Sequence, residues 1–229
     1  MQLPYLMQMK SNSAPQPRKR DDPRRAATQV ALIEAAERLF ADNGVEAVST
    51  RQIGAAIGSL NTNVVAYHFG NKDGLIEAVF RHRLREIDRR RGELLAEADG
   101  NGVDISIAVL LRIFALPLFE QTDAAGQHSY ARFLLGLERS GSLAVRAQVS
   151  EEFPETNRVI ARLVELLPKG AVASGPTRLR LATSLLATML QIIDQSPDQS
   201  SDAKHILFEE ALAMSAAALS APVSKGTMP

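Results

Sequence analysis

The stretch NTNVVAYHFGNKDGL, residues 61–75, sets Tyr67, His68, Phe69 and Lys72 within six residues. Asn61 is a natural N-cap, so the spacing predicts a short helix from about Thr62 to Phe69, and Asn71 then caps a long helix beginning at Lys72. On the short helix Val65 and Phe69 are four apart and share a face, so both pack inward. Tyr67 and His68 point away from that core. With Lys72 they form a polar fringe suited to phosphate oxygens.

The segments upstream supply something to pack against. ATQVALIEAAERLFADNG, residues 27–44, places Ile33, Ala36, Leu39 and Phe40 on one helical face and stops at Asn43 and Gly44, predicting a first helix over about 27–42. STRQIGAAIG, residues 49–58, predicts a helix of barely two turns, capped by Ser49 or Thr50 and closed by Gly58, with Ile53, Ala56 and Ile57 inward. Two short helices joined by a glycine-containing turn and packed on a longer one have the spacing of a helix-turn-helix.

From Arg25 to Phe80 the chain resembles the DNA-binding domain of TetR-type (tetracycline-repressor-like) transcriptional regulators. That pattern is a helix ending in Gly, then T-x-x-I followed closely by Ala, a glycine turn, a short helix ending in Y-H-F, and x-x-K-x-x-L. Gly44, Thr50, Ile53, Ala55 or Ala56, Gly58, Tyr67, His68, Phe69, Lys72 and Leu75 match it. The turn between Gly58 and Phe69 is one residue longer than the commonest form, Ala66 stands where an aromatic is usual, and Asn63 and Val64 replace a Gly-Thr pair. The resemblance implies an all-α protein with an N-terminal helix-turn-helix domain, a C-terminal helical bundle that dimerises through its last two long helices, and a small-molecule pocket within that bundle. It divides the chain into a basic arm over 1–24, a DNA-binding domain over 25–71 and an effector-binding and dimerisation domain over 72–229.

Within the head, Thr62, Asn63 and Val64 are the expected base-reading residues: an amide reads adenine, and a valine methyl can touch a thymine methyl. Thr50, Tyr67, His68 and Lys72 are expected to hold phosphates, and Arg51 to do either. The partners that follow are a palindromic double-stranded operator, a second copy of the chain and a small-molecule effector, with no membrane.

Charge and composition fit this division. The formal net charge is zero, yet residues 1–91 carry 15 Lys+Arg against 10 Asp+Glu, or +5, and the remainder carries 11 against 16, or −5. A basic first portion suits a polyanion. The first 25 residues hold Lys10, Arg18, Lys19, Arg20, Arg24 and Arg25 and read as a flexible basic arm. That arm lacks the apolar region of a secretory signal. There are no cysteines, so disulfides and thiolate metal ligands are excluded and the setting expected is cytoplasmic. The longest apolar segment, Leu181 to Ile193, is too short to span a bilayer.

The second portion is helical throughout, without strand signals. The helix from Lys72 to about Glu97 turns Leu75, Ile76, Val79, Phe80, Leu84 and Ile87 inward and leaves RHRLREIDRRR, residues 81–91, as a basic outer face. Residues 102–120 read as a buried helix kinked at Pro117. Further helices are expected around Tyr130–Leu137, from Pro154, over 176–195 and over 201–219. Arg112 interrupts the apolar run VLLRIFALPLF and must be paired, snorkel or meet a ligand. A pocket lined by Arg112, Phe114, Phe119, Tyr130 and Phe133, holding an apolar effector with one polar or acidic group, is the expectation that follows.

No G-x-S-x-G, phosphate-binding loop, H-E-x-x-H or cysteine nucleophile occurs, so no catalytic residue is expected. His68, His82, His128 and His205 lie on separate elements, which argues against a metal site. No cofactor is expected. The rival reading is a helical small-molecule binder or enzyme whose helix-turn-helix no longer functions.

Overall fold

The structure, a computed structural model, describes residues 22–140, 149–196 and 199–223. Among these residues there are helices and no strands. The chain runs α1 (Pro23–Asn43), α2 (Thr50–Ala56), α3 (Val64–Phe69), α4 (Lys72–Gly100), α5 (Ile107–Glu120), α6 (Ser129–Ser140), α7 (Pro154–Glu165), α8 (Gly175–Asp194) and α9 (Ser201–Ser220). The basic arm falls almost wholly on residues 1–21, outside the described residues. Its expected boundary moves: Asp22 caps α1 by accepting from the Arg24 amide at 3.0 Å, and Pro23 opens the helix with its φ already set, so Arg24 and Arg25 are helical.

Two apolar cores carry the molecule. The first joins Leu32, Ile33, Ala36 and Phe40 of α1 to Ile53 of α2, Val64 and Val65 of α3, and Leu75, Val79 and Phe80 of α4, with Phe69 packed against it. It does not stop at the head. Tyr130, Phe133 and Leu137 of α6 belong to it, and Phe133 lies 5.9 Å from Phe40 and 5.5 Å from Phe80, ring centre to ring centre. The second core is built from α5, α7, α8, α9 and the far end of α4. Pro117 sits inside α5 without ending it.

Polar groups pin the same joint. Glu37 on α1, 1% exposed, receives the Arg83 guanidinium of α4 through two bonds of 2.6 and 2.9 Å and the Ser129 hydroxyl of α6 at 2.5 Å. Burial works against the Arg83 charge, yet those bonds to Glu37 win and raise its pKa. Removing either member would strand the other in the interior, at a cost of about 3–5 kcal/mol. Arg132 of α6 reaches Asp42 of α1 at 2.9 Å and Asp194 of α8 at 3.5 Å. Asp194 also takes the backbone amide and ring of His128 at 2.9 and 2.7 Å.

The arginine-rich stretch of α4 departs from the solvated face expected of it. Arg83 is spoken for by Glu37, Arg81 by Glu77 and Glu152, Arg89 by Glu86 and Glu93, and Arg90 by Glu93 and Glu120. Arg91 is 2% exposed and donates to the Phe114 carbonyl at 3.0 and 2.7 Å and to the Thr156 hydroxyl at 2.9 Å. Asp88, one turn before it, accepts the Thr156 amide at 2.6 Å and so caps α7, whose own N-cap Phe153 offers no side-chain acceptor. Glu77, Glu86 and Glu93 neutralise part of the run from α4 itself, whereas Glu37, Glu120 and Glu152 lie elsewhere in the chain, out of reach of a local reading of α4.

Candidate nucleic-acid interface

The second and third helices are set by caps rather than by length. Ser49 and Gln52 form a reciprocal capping box at α2: the Gln52 amide reaches the Ser49 hydroxyl at 3.3 Å, and the Ser49 amide reaches the Gln52 side chain at 2.8 Å. Thr50 is therefore the first residue of α2, half-buried, with Arg51 exposed beside it. Gly58 turns the chain with φ +71°, a region open to glycine. Ser59 and Asn61 then stitch the turn: the Asn61 amide donates to the Ser59 hydroxyl at 3.2 Å, and the Asn61 side chain accepts from the Asn63 amide at 2.9 Å.

That last bond shifts the start of α3. Asn61 stabilises the turn instead of capping the helix, so Asn63 becomes the N-cap and α3 begins at Val64. Thr62 and Asn63 remain exposed, and the Asn63 side chain makes no capping bond. Val64 does not join them. It is 6% exposed and packs on Gly54 of α2, where a Cβ would meet its Cγ1 at 2.9 Å. The expected base-edge role of Val64 is thereby corrected: its methyls close the joint between the two short helices. Leu60, in the lengthened turn, is fully exposed.

At the other end Tyr67 is 66% exposed and His68 half-buried, their rings 4.9 Å apart and edge to face. Arg25, absent from the sequence-based set, lies with its guanidinium 5.5 Å from the Tyr67 ring centre and ties the start of α1 to α3. Burial first, and Arg25 second, hold the His68 pKa below its ordinary value, so near neutral pH its ring is neutral and offers one N–H donor. The Pro-Arg-Arg helix start was the available signal for Arg25. Lys72 is half-buried, donates to the Val45 carbonyl at 2.5 Å and lies 5.7 Å from the Phe40 ring centre. It braces the loop between α1 and α2 and keeps two ammonium hydrogens for another acceptor. Gly74 allows α4 to start against α3, since a Cβ there would sit 2.1 Å from the Phe69 carbonyl oxygen.

The residues expected to line one effector pocket are split. Arg112 is on the outer face of α5, ion-paired with Glu209 of α9, and lines neither of the spaces beside α6. Phe133 is 0% exposed in the first core. Phe119 stacks on Phe208 at 4.5 Å and on His128 at 5.9 Å. Phe114 and Tyr130 do face a cavity, together with Leu84, Arg91, Leu134, Glu138 and Ser184. A second, wider space of about 460 Å³ shares Leu84, Phe114, Glu138 and Thr183 with it and opens past Thr156, Ile160, Leu179 and Arg180. Arg112 was singled out for breaking an apolar run, but a run on one helix does not say which side its breaker faces. Among the described residues no cluster of metal-ligating side chains occurs, and no helix is long and apolar enough to cross a membrane.

A capped short helix, a glycine turn and an exposed second helix, all standing on α1 and α4, are a helix-turn-helix, and the chain is a DNA-binding protein of that class. Residues 32–79 match the model of the tetR family of bacterial regulatory proteins. Over that span the chain is similar to TetR-type transcriptional regulators. It is 25% identical over 185 residues to the HTH-type transcriptional regulator BetI of Burkholderia thailandensis, a match covering 71% of this chain and 91% of that protein. It is 28% identical over 131 residues to the BetI of Brucella suis biovar 1, covering 57% of this chain and 59% of that one. A crystal structure of a transcriptional regulator from Rhodococcus sp. Rha1 aligns over 84% of this chain and 95% of its own, with 19% identity and a TM-score of 0.47.

Proposed function

We propose that the protein is a homodimeric repressor, without enzymatic activity, that a small-molecule effector releases from a palindromic operator. Thr62 and Asn63 read base edges from the exposed mouth of α3, while Thr50, Tyr67, His68, Lys72 and Arg25 hold phosphates and Arg51 serves either role. The observation that carries release is the double contact of α6: Phe133, Arg132 and Ser129 fasten it to α1, and Tyr130, Leu134 and Glu138 line the cavity. An effector that binds one position of α6 more tightly than another biases the head by that difference and by no more.

Dimerisation is supported by the outer faces of α8 and α9, where Leu181 is 61%, Ile192 48%, Ile206 59% and Met214 60% exposed. Leu181, Leu185, Thr188 and Ile192 follow one another at helical spacing, as do Ile206, Ala213, Met214 and Ala217. Two such stripes side by side make the self-complementary patch a twofold interface needs.

Gel shifts with the DNA flanking the protein's own gene test the reading. Affinity should fall linearly in log–log form with salt, by a slope of about −0.9 for each phosphate neutralised, summed over both heads. A slope near zero would remove the phosphate contacts from the proposal.

A further inference from the structure

We infer that the effector is an organic cation: an amine, or another positively charged donor group, carried on an apolar body. The inference rests on the cavity beside α6 being the effector site. Its walls are mostly apolar, from Leu84, Phe114, Leu118, Tyr130, Leu134 and Ala187, so what distinguishes ligands is the few polar groups among them.

Those groups are unequal. Arg91 directs three N–H donors at the Phe114 carbonyl and the Thr156 hydroxyl, and its guanidinium face is covered by the Phe114 ring at 4.0 Å. The cation is thus committed to holding α4, α5 and α7 together. The Thr183 hydroxyl donates at 2.9 Å to the Arg180 carbonyl of its own helix, and the Ser184 hydroxyl donates at 2.5 Å to Glu138. Glu138 differs. One carboxylate oxygen takes the Ser184 proton, and among the described residues the nearest cation to the other is Arg180, 3.9 Å away and 63% exposed at the rim. An exposed pair at that distance is largely screened.

Glu138 is itself 25% exposed and belongs to the wall that the narrow and wide spaces share. A carboxylate with spare acceptor capacity beside apolar walls attracts a positive donor more strongly than it would in open water, and it repels an anion of the same shape. This reverses the polarity expected when Arg112 was taken as the charge in the pocket. It also puts the ligand's charge on α6, the helix that carries α1.

Calorimetric titration of the full-length protein with 4-phenylbutylamine, 4-phenylbutanol and 4-phenylbutyrate, matched in shape and differing in charge, tests the assignment. The amine should bind at least about tenfold more tightly than the alcohol, as a charge-assisted hydrogen bond provides, and the carboxylate should be weakest. Glu138→Gln should bring the amine down to the level of the alcohol and leave the alcohol within about twofold. Amine and alcohol binding equally, or the carboxylate binding best, overturns the cation while the site stands, provided Thr183→Trp, which fills the shared wall, still abolishes binding. If Thr183→Trp leaves the binding of all three unchanged, or none binds to the parent protein, the cavity is not the effector site and both readings fall. The three-ligand comparison in the parent protein decides the point even if a variant misfolds.

Discussion

Asn63 and Gly74 mark the two things a single residue does in the head, reading and fitting. Asn63 has an exposed amide that caps nothing, so it is free to face a base edge. Asn63→Ala should relax the preference at one operator position by about 1–3 kcal/mol, read by selection on randomised operators, with nonspecific binding little changed. An unchanged preference would take Asn63 out of the reading set. Gly74 touches no ligand in this scheme, yet Gly74→Ala forces a methyl onto the Phe69 carbonyl. Urea denaturation should show a loss of about 2 kcal/mol or more; a loss below about 0.5 kcal/mol would mean that α4 can slide away from α3.

For whole elements, much was legible beforehand. The inward set Ile33, Phe40, Ile53, Val65 and Phe69 follows from spacing alone and shares one core. The helices after α4 begin and end within a few residues of their caps and prolines. What local pattern could not reach was the choice between two caps two residues apart: Asn61 and Asn63 are both good N-caps, and the Asx turn that Asn61 makes with the Asn63 amide decides for Asn63, moving Val64 from the surface to the core. Nor could it show which side of an apolar helix is outermost, which is why Arg112 was placed inside and Glu138 overlooked. The surface stripes of α8 and α9 give the test at this scale. Leu181→Arg and Met214→Arg should each yield monomers in sedimentation with helicity retained, and with operator binding greatly weakened because one head makes half the contacts. Dimers persisting in both variants would move the interface elsewhere.

The molecule as a whole has a defined response to acid. Burial, then the neighbouring Arg83, holds the His82 pKa below its ordinary value, with Glu37 and Glu34 pulling the other way; His68 is lowered as well. Between the folded and unfolded pKa values the unfolded chain therefore binds more protons. The contribution of these two histidines to stability is full above about pH 6.5 and is lost as the pH falls through their lowered folded-state values. Melting temperature should decline from pH 7.5 to pH 5.5, and the double variant His68→Gln, His82→Gln should flatten that decline. An equally steep fall in the variant would assign the acid sensitivity to other groups.

The share of α6 in the first core has a consequence for how the protein is made. Phe40, Glu37 and Asp42 meet Phe133, Ser129 and Arg132, partners about ninety positions further along the chain. When α1 to α3 leave the ribosome, the far wall of their core has not yet been synthesised, and Phe40 and Phe80 stay open until α6 arrives. The DNA-binding head is thus encoded ahead of α6 and completed only with it, so on the proposed mechanism a nascent chain cannot present a finished head before the helix assigned to effector sensing is in place.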